Sequence, residues 1–267
     1  MQGDGVRELL AAAREMGCDY LENEPMRLLT IGNGSNLLVA DKGIDAVVLV
    51  MDKHFSAVTV KGDTIFAQAG ASLMKVCRTA LEHSLTGLEF AYGIPGSCGG
   101  AAFMNAGAYG GEMKDVLVRC THIDRDGKLG QLAGEDLHLS YRHSAYYDNG
   151  CIITGLELRL QHGDPAEIKA KMDDLISRRR EKQPIEYPSA GSTFKRPPGH
   201  FAGALIDQCG LRGTSVGGAR VSEKHAGFVI NTGGATCADV LALCQQCREK
   251  VLAETGVELE MEIRVTE

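Results

Sequence analysis

An α+β fold in two domains is predicted by three observations. Runs with the two-residue period of strands alternate with runs of helical period along the chain. The alternation falls into two unequal blocks, and the proline-containing segment Gln183–Pro188 between them is the natural boundary or crossover. At 267 residues, 44% apolar and 24% charged, the chain suits one large or two medium globular domains, each with a buried core.

Residues 5–16 read as a short amphipathic helix, with Asp4 as a cap and Val6, Leu9, Leu10 and Ala13 on one face. Leu28–Ile31 reads as a strand that delivers Gly32-Asn33-Gly34-Ser35-Asn36. Such a turn places backbone donors and small polar side chains at one point, which suits a pyrophosphate, although Asn-Gly is also a hairpin signal. Ala46–Met51 is an apolar strand, and Ser56–Val60 and Thr64–Ala69 alternate like a hairpin pair. Ser72 caps a helix carrying Leu73, Val76, Cys77, Ala80 and Leu81.

Tyr92–Glu112 follows, reading YGIPGSCGGAAFMNAGAYGGE, with seven glycines in 21 residues and neither helix nor strand period. Glycines interleaved with Ala and Ser let a backbone fold tightly and approach a ligand closely. Ile94, Phe103 and Met104, which a mere linker does not need, argue for a structured ligand cradle over a set of surface turns.

Val116–Ile123 and Gly150–Leu160 return to the strand pattern around an Asp126-Gly127 turn and a polar block, 135–149. Asp164-Pro165-Ala166-Glu167 starts a helix that runs to about Arg180 on Ile168, Met172, Leu175 and Ile176. It closes on Arg178, Arg179, Arg180 and Lys182, cations at a helix C-terminus or ligand contacts. Beyond the crossover come a helix at 201–208, a Gly217-Gly218 turn, strand Ala226–Asn231, helix Thr236–Glu254 and a last strand, Glu258–Val265.

A net charge of −7 and pI near 5.7 argue against nucleic acid as the main partner. No run approaches the roughly 20 apolar residues of a membrane span, and no signal peptide is read, so the expected location is cytoplasmic without membrane insertion. Nine cysteines, an odd count, fit reduced thiols better than a disulfide framework. Cys244 and Cys247 form a CxxC inside a helical pattern with no His nearby, and buried thiols are expected there rather than a metal site.

Five motifs in order resemble one family. They are Gly32-Asn33-Gly34-Ser35-Asn36-Leu37-Leu38-Val39, the Gly-Ile-Pro-Gly-Ser-Cys-Gly-Gly run from Gly93, Tyr141-Arg142-His143-Ser144, Gly191-Ser192-Thr193-Phe194-Lys195 and Val221-Ser222-Glu223-Lys224-His225-Ala226-Gly227-Phe228. Together they are similar to the UDP-N-acetylenolpyruvoylglucosamine reductase (MurB) family in its shorter second type, from about Leu29 onward. The resemblance implies an FAD-binding domain of the vanillyl-alcohol oxidase (PCMH) type over residues 1–162 and a substrate domain over 163–267. It implies FAD as cofactor, NADPH as co-substrate and a UDP-sugar as substrate, with reduction of an enolpyruvyl ether to UDP-N-acetylmuramate for peptidoglycan.

Carried over by residue, Ser192 is the proton donor, Arg142 faces the substrate carboxylate and Glu262 assists. The cofactor would lie on Gly32, Asn33, Gly34, Ser35, Asn36, Leu37, Pro95, Gly96, Ser97, Gly99, Gly100, Asn105, Gly107, Ala108, Tyr109 and Gly110. Lys195, Arg196 and His225 would meet the substrate; no metal is implied. Such a reaction needs an acid for the carbon beside the carboxylate and stabilisation of enolate-like charge.

Three departures stand out. Arg196 follows Lys195 where the longer type tends to have Asn. Met261 stands where the family often has Pro, leaving Glu260 and Glu262 both open, with Glu262 taken from its place before Ile263-Arg264. Tyr20–Met26 is similar to the family's extreme N-terminus, yet only Arg27–Thr30 precede the Gly-Asn-Gly loop, so a strand-helix unit reads as missing. An exposed sheet edge and self-association follow as an expectation. An inactive relative kept as a binding protein and another FAD oxidoreductase of the same fold are the alternatives.

Overall fold

The computed structural model describes residues 27–267, together with Ala11, which is helical. The rest of the helix expected at 5–16 and the segment Tyr20–Met26 lie outside the described residues. The chain divides into two compact units, Met1–Asn33 with Asp45–Ser177, and Gly34–Ile44 with Arg178–Glu267. This differs from a single cut at 162/163: residues 34–44 group with the later unit and residues 163–177 with the earlier one.

In the first unit, β1 (Arg27–Ile31) pairs in parallel with β3 (Ala46–Val50), while β2 (Leu37–Val39) belongs to the second unit. A five-stranded antiparallel sheet is built from β4 (Val58–Lys61), β5 (Thr64–Gln68), β9 (Leu117–Ile123), β10 (Leu129–Ala133) and β11 (Ile152–Arg159), in the order β10-β9-β11-β5-β4. The expected β4–β5 hairpin forms, with Val58 opposite Ala67 and Lys61 opposite Thr64. Short pairs β6 (Leu85–Thr86) with β12 (Gln161–His162), and β7 (Gly107–Ala108) with β8 (Gly111–Glu112), flank the sheet in sequence.

Helix α1 (Leu73–Glu82) starts where expected: the Ser72 hydroxyl accepts the Lys75 N–H at 3.2 Å, and Leu73, Val76, Cys77 and Ala80 are buried. The core joins these side chains to Ile65, Leu85, Leu88, Met113, Ile123, Leu137 and Leu158. A hydrophobic side chain of this size contributes about 1.5–3 kcal/mol when fully buried.

Two features were not foreseen. The stretch read as having no helical period holds α2 (Cys98–Phe103), capped by Ser97, whose hydroxyl accepts the Gly100 N–H at 3.4 Å. Two glycines in six residues disfavour a helix by propensity, so packing of buried Cys98, Ala101 and Ala102 carries it. Strand β10 was also unread, because Leu129-Gly130-Gln131 gives no clean alternation.

A polar pair lies inside this core. His122 on β9 meets the Tyr146 hydroxyl at 3.0 Å, Tyr146 opening the short helix α3 (Tyr146–Asn149). The pair fixes the end of the 140–149 segment to the sheet. Helix α4 (Pro165–Lys182) buries Ile168, Met172 and Leu175, and its Lys171 reaches the buried carboxylate of Glu89 at 3.4 Å. Burial alone pushes Glu89 up, but the Thr86 hydroxyl at 2.6 Å, the Gly87 N–H and Lys171 outweigh it and hold the group below the usual carboxylate range.

The second unit contains β2, paired in parallel with β16 (Arg264–Thr266). A three-stranded antiparallel sheet comprises β13 (Ser215–Val216), β14 (Ala219–Val221) and β15 (Val229–Asn231). Helices α5 (Ala202–Gln208) and α6 (Cys237–Thr255) pack Leu205, Ile206, Leu243, Cys244, Cys247 and Val251 into one core with Phe194 and Leu259. Thr236 and Asp239 form a capping box on α6, and Asp41, from the loop after β2, accepts the Cys237 and Ala238 N–H groups at 2.7 and 3.1 Å.

The expected strand Ala226–Asn231 shortens to β15. The expected last strand splits: Met261 bridges Phe194, and 264–266 then pairs with β2. A change of partner in mid-run leaves no single ladder.

Burial pushes the His122 imidazole below its ordinary value, with Asp124 opposing. A depressed histidine favours the unprotonated folded form, so its stability is whole above the unfolded value of about 6.5 and is lost as pH falls toward the folded value. The urea midpoint should therefore drop between about pH 7 and pH 5, and His122→Gln should flatten part of that drop. An identical slope in the variant would overturn the reading.

Candidate functional site

Within the first unit the two glycine loops meet. A Cβ on Gly32 would fall on the Ser97 hydroxyl, and the Asn33 amide donates to the Pro95 carbonyl at 3.4 Å. On the other side of the second loop, the Gly99 N–H donates to Ala69 O and the Cys98 N–H to Ala71 O, each at 2.8 Å. A Cβ on Gly99 would stand 2.9 Å from the Ala69 Cβ. Gly99 is thus tied by close approach to Ala69 and Gly32 by the Ser97 side chain, and the two loop segments are held edge to edge. The Cys98, Gly99 and Gly100 N–H groups are spent on this packing, so an anion at the turns would meet other backbone donors of the two loops.

The Arg142 turn is docked onto the same loop. Ser140 and His143 exchange backbone hydrogen bonds at 3.1 and 3.2 Å, with Arg142 between them in the left-handed region at φ 55°. The Arg142 guanidinium donates to Gly107 O at 3.3 Å and lies 5.1 Å from the Tyr141 ring centroid. The Ser144 hydroxyl donates to Phe103 O at 2.5 Å, and Phe103 stacks on Tyr147 at 4.2 Å. Gly107 and Arg142, read from separate motifs, come together.

Asn105 makes this docking possible and needs a correction. It was expected to touch the cofactor, but it is fully buried and its side chain is committed inside the fold. The amide nitrogen donates to Glu112 Oε2 at 2.6 Å and Ser140 O at 2.9 Å, and its oxygen accepts the Lys114 N–H at 2.8 Å. It joins the hairpin after α2 to the Arg142 turn, and its φ of 43° is one asparagine tolerates. Tyr109 and Gly110, at φ 53° and 87°, form the tip of that hairpin, with Tyr109 exposed.

In the second unit Thr193 is the hub. Its N–H donates to Gly227 O at 2.9 Å, its carbonyl accepts the Glu262 N–H at 2.8 Å, and its hydroxyl accepts the Val229 N–H at 2.9 Å. Residues 192–195 therefore run between 227–229 and 260–262, and Ser192 adjoins the residue opposite Glu262. The neighbouring cross-chain pair takes the other glutamate, for Lys195 binds Glu260 at 2.5 Å. That register separates the two carboxylates the sequence left open.

Asn36 secures the far side of Glu262. Its side-chain nitrogen donates to the Glu262 carbonyl at 3.1 Å, and its own carbonyl accepts the Arg264 N–H at 2.9 Å. Its amide was expected to face the cofactor and is spent on the strand instead. The remaining expected contacts are spread out. Arg196 lies over the Phe201 ring at 4.1 Å. His225 has Nδ1 accepting the Gly227 N–H at 3.1 Å, and its ring lies against Gly203 and Gly227. Burial first, opposed by a backbone hydrogen bond and aided by Arg212, holds His225 below its ordinary value.

The CxxC thiols of Cys244 and Cys247 are buried on α6 and pushed up to about 12 and about 11 by burial. Among the described residues no group of three or more His, Cys, Asp or Glu comes together to hold a metal.

These two units are the parts of a flavin-dependent reductase. The FAD binding domain family model matches residues 10–133, and that of the UDP-N-acetylenolpyruvoylglucosamine reductase C-terminal domain matches 183–266. A UDP-N-acetylenolpyruvoylglucosamine reductase of Caldanaerobacter subterraneus subsp. tengcongensis is 50% identical over 246 residues, 92% of this chain and 81% of the relative. One from Latilactobacillus sakei subsp. sakei is 46% identical over 260 residues, 97% of this chain and 83% of the relative. The crystal structure of the Thermus caldophilus enzyme covers 98% of this chain and 90% of its own, at TM-score 0.81 and 37% identity.

The chain belongs to the UDP-N-acetylenolpyruvoylglucosamine reductase family. The similarity begins well ahead of Leu29, since the FAD-domain match opens at residue 10.

Two substitutions check the geometry. Gly99→Val should overpack the Ala69 contact, cost about 1–3 kcal/mol and abolish flavin retention, while Lys128→Ala on the exposed surface leaves flavin content intact. Asn105→Leu should leave the Lys114 N–H without its acceptor and Glu112 Oε2 and Ser140 O without the amide donor, cost about 1–3 kcal/mol and lower the melting temperature with loss of flavin. Equal flavin content in all three variants would sink the assignment of this loop.

Proposed function

We propose that the chain reduces the enolpyruvyl ether of a UDP-N-acetylglucosamine derivative to UDP-N-acetylmuramate for peptidoglycan synthesis, with FAD as cofactor and NADPH as reductant. The observation that carries the reading is the Thr193 bridge, which sets Ser192 beside the backbone of Glu262. FAD, where bound, would supply hydride transfer between NADPH and the double bond. The remaining chemistry belongs to side chains of the chain.

Saturating the double bond takes one hydride and one proton. The Ser192 hydroxyl donates that proton to the carbon beside the carboxylate, and Glu262 assists the transfer. Arg142 offers a fixed cation to the substrate carboxylate, where enolate-like charge develops. Its left-handed backbone, which costs on the order of 1–3 kcal/mol, is retained because Asn105 and the Ser140–His143 pair over-determine the turn. Lys195, Arg196 and His225 are proposed substrate contacts, His225 through its ring edge, since Nδ1 is already engaged.

The pyrophosphate is proposed to rest where the Gly32-Asn33 turn meets Pro95–Gly100, with Gly107, Ala108, Tyr109 and Gly110 bordering the second loop; Gly34, Ser35 and Leu37 are proposed cofactor contacts as well. A cytoplasmic location is also proposed, supported by eight free cysteines among the described residues, as a reducing compartment allows. Among the described residues no helix is long and apolar enough to cross a membrane.

Self-association is proposed through the β1–β3 pair. None of its ten residues is buried, although parallel strands are ordinarily covered on both faces. Leu29→Lys should lower the sedimentation coefficient of any dimer to the monomer value; a chain already monomeric at about 0.1 mM would refute this part.

Ser192 is needed only where carbon accepts a proton. In Ser192→Ala, NADPH should still bleach the flavin, while reoxidation by the enolpyruvyl substrate slows by roughly 10²-fold or more. Loss of the NADPH half-reaction instead would assign Ser192 a structural role.

A further inference from the structure

We infer that Asn36 is a positioning residue for Glu262, acting from the loop after β1 on the proton-transfer side of the reaction. The inference rests on the assignment of Glu262 made above and goes beyond it by naming what holds that residue in place. Asn36 was expected to bind cofactor, as were its neighbours in the Gly-Asn-Gly-Ser-Asn turn. Its side chain does something else.

The peptide group of Glu262 sits at a change of partner. Residues 260–262 pair with 193–195, whereas 264–266 pair with β2, so the 262–263 junction belongs to neither ladder. The Glu262 N–H has Thr193 O. Its carbonyl lies beside Asn36, the residue before β2, and the Leu37 N–H is already given to Gly34 O. The Asn36 amide fills that place at 3.1 Å, and Asn36 O takes the Arg264 N–H at 2.9 Å. A side-chain amide and a main-chain carbonyl of one residue thus extend the β2–β16 ladder by one step.

Glu262 is held on both faces of its peptide as a result, by Thr193 and by Asn36. Thr193 holds the N–H side of the residue and Asn36 its carbonyl side. Proton transfer depends steeply on placement, so a carboxylate that wanders by about 1 Å loses up to about 10²-fold in rate. A leucine, serine or aspartate at 36 could continue the chain but could not donate to that carbonyl at the same reach. The asparagine is specified by the bond it makes.

The test separates this role from cofactor binding. Asn36→Ala is compared with wild type in the flavin-loaded protein by stopped-flow on each half-reaction, by KM for the enolpyruvyl substrate, and by hydrogen exchange of the Glu262 amide. Expected are flavin content and NADPH reduction within about twofold of wild type, substrate KM within about threefold, reoxidation slowed about tenfold or more, and faster exchange at Glu262.

In a Glu262→Gln background the same change should move reoxidation by less than about twofold, because the positioned group is already gone. Equal slowing in both backgrounds would overturn the inference, as would unchanged exchange at Glu262. Loss of flavin in both Asn36→Ala and Asn36→Ser would return the residue to the cofactor. If Glu262→Gln alone reoxidises at the wild-type rate, the fault lies in the assignment of Glu262, and the inference falls with it.

Discussion

Buried backbone N–H and C=O groups must be paired, and the segments that carry the proposed chemistry are too irregular to pair through ladders. Everything distinctive in both units follows from how that demand is met. In the second unit Thr193 satisfies three neighbours at once through its N–H, carbonyl and hydroxyl. In the first, Asn105 satisfies three through one side-chain amide. Replacing Asn105 removes three bonds at once, and replacing Thr193 removes the hydroxyl that pairs the Val229 N–H; a buried group left unpaired costs about 1–3 kcal/mol. That is a large fraction of the roughly 5–15 kcal/mol that holds a domain together.

The glycines solve the complementary problem. Where a side chain cannot act as partner, two backbones must come close enough to bond directly, as at Gly99 with Ala69 and Cys98 with Ala71. Close approach excludes a Cβ and so fixes residue identity as firmly as any catalytic role. The Gly32 contact differs in that the Ser97 side chain, whose hydroxyl lies where a Cβ would stand, brings the first loop onto the second. Loop shape here is a consequence of packing between backbones.

Much of this was legible in the sequence, and its limits have a physical origin. The β4–β5 hairpin, α1 with its Ser72 cap, α4 with Ile168, Met172 and Leu175 inward, and α6 behind Thr236 were readable because period and capping are local signals. Helix α2 was not, since glycine-rich helices stand on tertiary packing rather than propensity. Ser192, Arg142 and the glycine loops could be singled out from the motifs they occupy. The work of Asn105, Asn36 and Thr193 could not, because their partners lie 35, 226 and 36 residues away and an Asn or Thr in a turn looks like any other. Asn105 and Asn36 were both read as cofactor contacts for that reason, their side chains turning out to bind protein.

The choice between Glu260 and Glu262 shows how far register can go where sequence stops. Both glutamates flank Met261, and both carboxylates alternate onto the same face as Lys195 and Thr193 once Phe194 is paired with Met261. Lys195 takes Glu260, which is largely exposed, so the pair adds only about 0–1 kcal/mol to stability. Its consequence is one of position: the lysine charge is anchored at one step of the pseudo-ladder, and Glu262 occupies the step beside Ser192. The same hydrogen-bonded register that satisfies the backbone therefore gives Glu260 to Lys195 and sets Glu262 opposite Thr193, next to Ser192 in sequence. One residue of slip would exchange their faces for that of Phe194, which is buried, and the core would forbid it.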